Sequence, residues 1–147
     1  MASVFQVSTS ELLRVHSASY EGKVVRFCLA FDSALTIEST TAQWDAVELA
    51  SANGYARAVI TIPSATYDSN IGMAKTSELT ATFTASGVGF TFNRVYGVIG
   101  AVSGGVTTWN TNISYLWVET ESIGLSPGVS RPYKVVLLAD NKTSSPL

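Results

Sequence analysis

Between Glu78 and Ala85 the chain alternates with a period of two. Leu79, Ala81, Phe83 and Ala85 are separated by Thr80, Thr82 and Thr84, the pattern of a half-buried β-strand. The threonine face is β-branched, polar and uncharged, which suits a strand face that is half wet or pressed against a neighbour. Lys23 to Phe31 is rich in Val, Phe and Leu and reads as a mostly buried strand. Tyr55 to Ile62 alternates again, with Ala56, Ala58, Ile60 and Ile62 on one face and Tyr55, Arg57, Val59 and Thr61 on the other. Pro63 stops it, because proline cannot donate to a ladder. Phe90 to Val102 is apolar on both faces near its end and fits a central strand, with Gly97 and Gly100 marking bulges or a close backbone approach. Ile113 to Glu119 and Tyr133 to Leu138 complete the strand signals. Ser86 to Gly89, Ser103-Gly104-Gly105 and Ser126-Pro127-Gly128 are turns,.

One segment changes period. Thr40 followed by Gln43 resembles a capping box, and Trp44, Val47 and Ala50 then recur at helical spacing up to Asn53-Gly54,. This predicts a helix of about ten residues, Thr41 to Ala50, lying across a sheet. A second short helix is possible at Ser10 to His16. Six to eight short strands with Gly and Pro turns predict an all-β, single-domain sandwich or jelly-roll-like fold over residues 1–140, with one short helix and a polar tail from Asn141 to Leu147.

Composition adds a problem of surface. The chain has 147 residues, of which 14% are charged and 46% hydrophobic, against about 25% charged in an ordinary soluble domain. Serine and threonine make up 35 positions, so the polar character is mostly hydroxyl. Such a chain has apolar surface to cover and little charge to keep it solvated, and association is the natural outlet. The Lys and Arg residues are scattered singly at net charge −2, without the basic stripe that direct nucleic-acid binding needs. No stretch is long and apolar enough to cross a membrane, and Met1 to Gln6 lacks the look of a secretory signal.

The groups that chemistry needs are sparse. His16 is the one histidine and Cys28 the one cysteine. A Ser–His–Asp triad would need His16 with Asp32, Asp45, Asp68 or Asp140, but no serine sits in a nucleophile elbow. Cys28, inside an apolar run, reads as a small buried thiol. Glu119 and Glu121, two apart on a strand, could hold a cation or act as an acid/base pair; a solvated face at the strand end, near a turn at Gly124, is the simpler reading. Asp68-Ser69-Asn70 reads as an Asx-turn. No catalytic residue, metal site or cofactor is expected. Trp109, Tyr115 and Trp117, with Asn110 and Asn112 between them, fit core packing first, a subunit interface second and a sugar-stacking platform third.

Three stretches carry a resemblance: TTAQWDAVELASANGY (Thr40 to Tyr55), FTFNRVYGVIG (Phe90 to Gly100) and SPGVSRPYKVVLLADN (Ser126 to Asn141). In texture they resemble small virion structural proteins of tailed bacteriophages of cyanobacteria and other environmental hosts, particularly capsid decoration (cement) proteins. The resemblance implies a β-rich homo-oligomer, a trimer by preference, made in the host cytoplasm and seated on the capsid surface, where it clamps adjacent major capsid subunits. It supplies no site motif. The contact residues expected are the threonine face, Thr80, Thr82 and Thr84, the aromatics Trp109, Tyr115 and Trp117, and Val4 and Phe5 near the N-terminus. The alternative is a tail or baseplate component with a receptor- or carbohydrate-binding β-domain.

Overall fold

The computed structural model describes Leu13 and residues 20–140, with side chains through Leu137. Val4, Phe5, His16, the possible helix at Ser10 to His16 (Leu13 apart) and the tail from Asn141 lie outside the described residues. In chain order the elements are β1 (Val24–Ala30), α1 (Thr41–Ala46), β2 (Ala58–Thr61), β3 (Thr66–Asp68), β4 (Met73–Lys75), β5 (Leu79–Thr84), β6 (Phe90–Ser103), β7 (Val106–Trp109), β8 (Tyr115–Leu125), β9 (Ser130–Val135) and β10 (Leu138–Asp140). The fold is all-β and sandwich-like, with antiparallel sheets and one short helix. Contacts gather into two compact units. One comprises, among the described residues, 13, 20–22, 62–79 and 134–140; the other is Lys23–Thr61 with Thr80–Tyr133.

The larger unit is built on a five-stranded sheet, in the order β2-β1-β6-β7, with β8 also paired to β6. β1 runs antiparallel to β6 over its whole length, from Val24 opposite Gly100 to Ala30 opposite Arg94. All seven β1 residues are buried, as expected of a strand covered on both faces. β6 and β7 form a hairpin closed by Gly104 and Gly105, at φ 58° and 76°. Two positive-φ residues in a two-residue loop match the twist of the flanking strands, and glycine takes them without steric cost.

Opposed residues of an antiparallel pair share a face, so the register sorts the sheet. Arg26, Cys28 and Ala30 share one face with Tyr96, Val98 and Gly100. There Cys28, Ala30, Tyr96, Val98, Trp44 of α1 and Ile113 form a buried cluster, with Leu35, Val47, Trp109 and Leu116 packed around it. The Trp44 and Tyr96 rings stack at 5.3 Å. The opposite face presents Val25, Phe27, Leu29, Val95 and Ile99, all buried.

β5 keeps the predicted alternation, with Leu79, Ala81 and Phe83 buried and Thr80, Thr82 and Thr84 exposed. It pairs with β9 in a two-stranded sheet, and the Thr84 and Ser130 hydroxyls hydrogen-bond across the pair at 2.7 Å. The rings of Tyr55, Phe83, Phe90, Phe92 and Tyr133 form a chain of aromatic contacts with centroids 6.0–6.3 Å apart.

The helix starts as predicted and ends sooner. Thr40 Oγ1 accepts from the Gln43 amide at 3.2 Å, and Gln43 Oε1 accepts from the Thr40 amide at 2.9 Å. The helix stops at Ala46 rather than Ala50, because the chain turns into the sheet: Glu48 bridges Ala30, and the Leu49 amide donates to the Leu29 carbonyl at 3.0 Å. Asn53-Gly54 is therefore not the helix stop. It closes a separate turn, in which the Tyr55 amide donates to the Ala52 carbonyl. β2 begins only at Ala58, so the predicted strand from Tyr55 starts three residues later, and Tyr55 is buried ahead of it. The predicted last strand, Tyr133 to Leu138, falls instead on β9 and β10.

In the smaller unit β3 and β4 form a hairpin, and β10 pairs with the other edge of β4. Asp68 Oδ1 accepts from the Asn70 amide at 2.9 Å, the expected Asx-turn,. Lys75 Nζ is 2.8 Å from Asp68 Oδ2. The lysine and this amide hold the carboxyl below the ordinary aspartate range.

Candidate functional site

The face of the sheet that carries α1 holds a wired set of charges. Arg26 stands in the middle of the apolar run VVRFCLA and its side chain is only 2% exposed. A guanidinium cannot sit there unpaired. Its Nη2 donates to Asp45 Oδ2 of α1 at 2.8 Å, and the Tyr96 hydroxyl donates to Asp45 Oδ1, also at 2.8 Å. Nearby, Arg57 grips Glu48 through two nitrogens at 2.6–3.1 Å. The Tyr55 hydroxyl donates to Glu48 Oε1 at 2.7 Å and accepts from the Leu29 amide at 3.0 Å. Arg57 Nη2 also approaches Asp45 Oδ1 at 3.8 Å, joining the two pairs. Two cations thus face two anions.

Tyr55, Tyr96, Cys28 and Arg57 hold their protons. Burial, reinforced by the adjacent carboxylates, pushes the Tyr55 and Tyr96 hydroxyls well above the ordinary tyrosine range. Burial, followed by the nearby Glu48 charge, pushes the Cys28 thiol up to about 12. The Glu48 hydrogen bonds raise Arg57 further above its ordinary value. The network fixes side chains in place.

Beside it lies an open cleft of about 590 Å³. The start of α1 forms one wall, and Trp109, Asn110 and Thr111 form the other, with Arg26, Asp45 and Arg57 between them. The walls are tied together: Thr41 Oγ1 donates to the Asn110 carbonyl at 2.7 Å, and the Thr41 amide donates to the Thr111 carbonyl at 2.8 Å. The Arg26 guanidinium carbon lies 4.8 Å from the Trp109 ring centroid. Trp109 also lies against Gly100, where a Cβ would come within 2.6 Å of the indole. Gly100 therefore marks a close approach and not a bulge, since the β1–β6 register is regular through it. Gly97 serves the same purpose on the opposite face, where a Cβ would meet the Phe27 ring at 2.9 Å and the Tyr115 ring at 3.0 Å.

The three clustered aromatics do not converge. Trp109 is opposite Gly100, while Tyr115 and Trp117 are opposite Gly97 and Val95 and so point to the other face. Tyr115 is half-buried beside Phe27, with ring centroids 6.4 Å apart. Trp117 is 59% exposed and Val118, on the other face, 51%. β8 hydrogen-bonds to β6 alone among the described strands.

The expectation for the acidic pair needs correcting. Gly124 is no turn; it lies within β8, paired to Thr91. The register slips between Phe92 and Arg94, so residues 119–122 of β8 face Asn93 alone. Within that bulge Glu119 is not solvated. Its side chain is 11% exposed and accepts hydrogen bonds from the Tyr133 hydroxyl and from Arg131 Nη2, the latter at 3.1 Å. Burial would raise its pKa, but those two bonds outweigh it and hold the carboxyl below the ordinary glutamate value. Glu121 remains exposed. Among the described residues, no three His, Cys, Asp or Glu side chains gather as a metal site.

The sequence offered Asp45 only as a triad acid and Arg57 only as a strand-face residue, and did not single out Arg26 or Glu48. One signal was available: an arginine inside a fully apolar strand demands a buried partner. No family model, curated protein or solved structure matches the chain, so the functional reading rests on this geometry and on the residues themselves.

Proposed function

We propose that the chain is a non-enzymatic virion structural protein, a capsid decoration protein that associates with itself, as a trimer by preference, and clamps neighbouring major capsid subunits. The observation that supports it best is the edge of β8 that no described strand pairs, where Trp117 and Val118 stand more than half exposed on successive residues. Ahead of the bulge, Tyr115 to Val118 carries large apolar side chains and no charge, and an unpaired edge of that kind is a template for another chain. The charges that could keep other subunits away are largely engaged within the fold: Arg26 with Asp45, Arg57 with Glu48, and Arg131 with Glu119. The capsid setting comes from the resemblance; the exposed apolar pair Trp117 and Val118 supports association.

Such a protein acts by mass action. A partner that binds only the assembled lattice shifts the equilibrium toward it. The test has two stages. Light scattering on purified protein gives an oligomer, and Trp117→Ser with Val118→Ser gives a folded monomer. The wild type then raises the melting temperature of expanded capsids and the double variant does not. A wild-type monomer without effect on capsid stability overturns the proposal.

A further inference from the structure

We propose that the Trp109 cleft is a binding site for a neutral pyranose unit of a glycan. The inference is independent of the assembly reading, since Trp117 and Trp109 stand on opposite faces of the sheet.

The platform comes first. Trp109 packs on Gly100, where a methyl would come within 2.6 Å of the ring. The Arg26 guanidinium carbon lies 4.8 Å from the ring centroid. The half-buried indole lines the cleft. With one cation already on the ring, a second is disfavoured. What fits is an uncharged, partly apolar surface, such as the C–H face of a sugar ring.

The rim supplies what hydroxyls need. Asp45 is 31% exposed and its carboxylate is acceptor-only; Arg57, 40% exposed, carries only donors,. The Asn110 side chain is exposed and offers both a carbonyl and an amine; Thr111 adds a hydroxyl,. Arg26 and Arg57 are matched by Asp45 and Glu48, so the cleft exerts no net pull on an ion of either sign. The Arg26–Asp45–Tyr96 bonds and the Thr41 ties hold both walls before any ligand arrives, which lowers the ordering cost of binding. The volume of about 590 Å³ is of the size that takes a small molecule, and the open mouth admits an internal as well as a terminal sugar unit.

The test uses the full-length chain on a glycan array, followed by titration of the neutral oligosaccharide hits, read by tryptophan fluorescence and calorimetry. Sialylated and sulfated glycans and a choline ester serve as charged probes. The expected result is binding of neutral glycans, weakened by about tenfold or more in Trp109→Ala, by a few-fold in Asn110→Ala, and by less than about twofold in Trp117→Ala. If Trp109→Ala does not fold by circular dichroism, Asn110→Ala and Thr111→Ala decide. Absence of any neutral hit, preference for the charged probes, or equal loss in Trp117→Ala and the cleft variants overturns the proposal.

Discussion

Strand β1 is one sequence with two interiors. Its odd positions, Val25, Phe27 and Leu29, face Ile99, Gly97 and Val95, and every side chain is hydrocarbon. Its even positions after Val24, namely Arg26, Cys28 and Ala30, are small or charged and meet a tyrosine, a tryptophan and an ion pair. Each face seats an aromatic ring on a glycine: Tyr115 on Gly97, Trp109 on Gly100. On the first face the ring completes a core. On the second it rests on a guanidinium and borders a cleft. The first arrangement contributes stability through removal of apolar surface from water. The second contributes position, since a buried ion pair gains little over a hydrocarbon pair of the same shape while its geometry is strict. A face built that way marks where the molecule needs an arrangement more than it needs cohesion.

The comparison breaks most visibly at Asp45. Asp45→Ala strands the Arg26 charge with 2% exposure, and the expected loss is about 3–5 kcal/mol in urea denaturation. Phe27→Ala on the other face costs a similar amount, about 3–5 kcal/mol, through the cavity it leaves. The two differ in rescue. Combining Arg26→Met with Asp45→Leu recovers most of the first loss, because both charges leave together. No second substitution at a contacting residue restores Phe27→Ala without refilling the cavity. If the Arg26/Asp45 double variant is as unstable as Asp45→Ala alone, the polar face is not an ion pair standing in for hydrocarbon.

The next effects come from the two glycines. Gly97→Ala wedges a methyl between the buried Phe27 and the half-buried Tyr115, at an expected cost of about 2–3 kcal/mol from overpacking. Gly100→Ala pushes Trp109, which has the cleft to move into, so about 1 kcal/mol is expected. The same variant tilts the sugar platform and weakens glycan binding. Thermal melts of the two variants side by side check this; equal losses would mean that Trp109 is as confined as Tyr115.

How much of this was readable in advance depends on how local each feature is. The β5 alternation and the Thr40–Gln43 cap were legible, because both are set by neighbours within a few residues. The end of α1 was not, since it is set by Ala30 and Leu29, distant in the chain. β3, β4 and β10, at three residues each, are too short to show a period. Gly124 looked like a turn, and only its pairing with Thr91 places it inside β8. Trp109 and Trp117 looked like one cluster. Their separation onto opposite faces follows from the register of β7 and β8 on β6, which one chain's pattern does not reveal.

The polar face also makes a prediction about access. Cys28 is fully buried and its thiol is pushed up to about 12, so at pH 8 it holds its proton and is shielded. Reaction with a disulfide reagent then proceeds only through opening of the fold, slowly in native protein and at once in denaturant. Fast native labelling would show that the face around the ion pair is looser than the hydrocarbon face behind it.

The smallest effect lies where the two-faced description stops, at the β8 bulge. Glu119 is held below the ordinary glutamate value by Tyr133 and Arg131. Its folded pKa is therefore below its unfolded pKa, and the stability it contributes is complete above about pH 5 and is lost as the pH falls through the folded value. Arg131 is 40% exposed, so screening keeps the contribution under about 1 kcal/mol. Glu119→Gln flattens the fall in urea midpoint between pH 5 and pH 3 by that amount, and added salt shrinks the difference. An unchanged slope in Glu119→Gln would move the acid sensitivity of the fold elsewhere, with Asp68 and Asp32, whose carboxyls are also held below the ordinary aspartate range, as the first groups to examine.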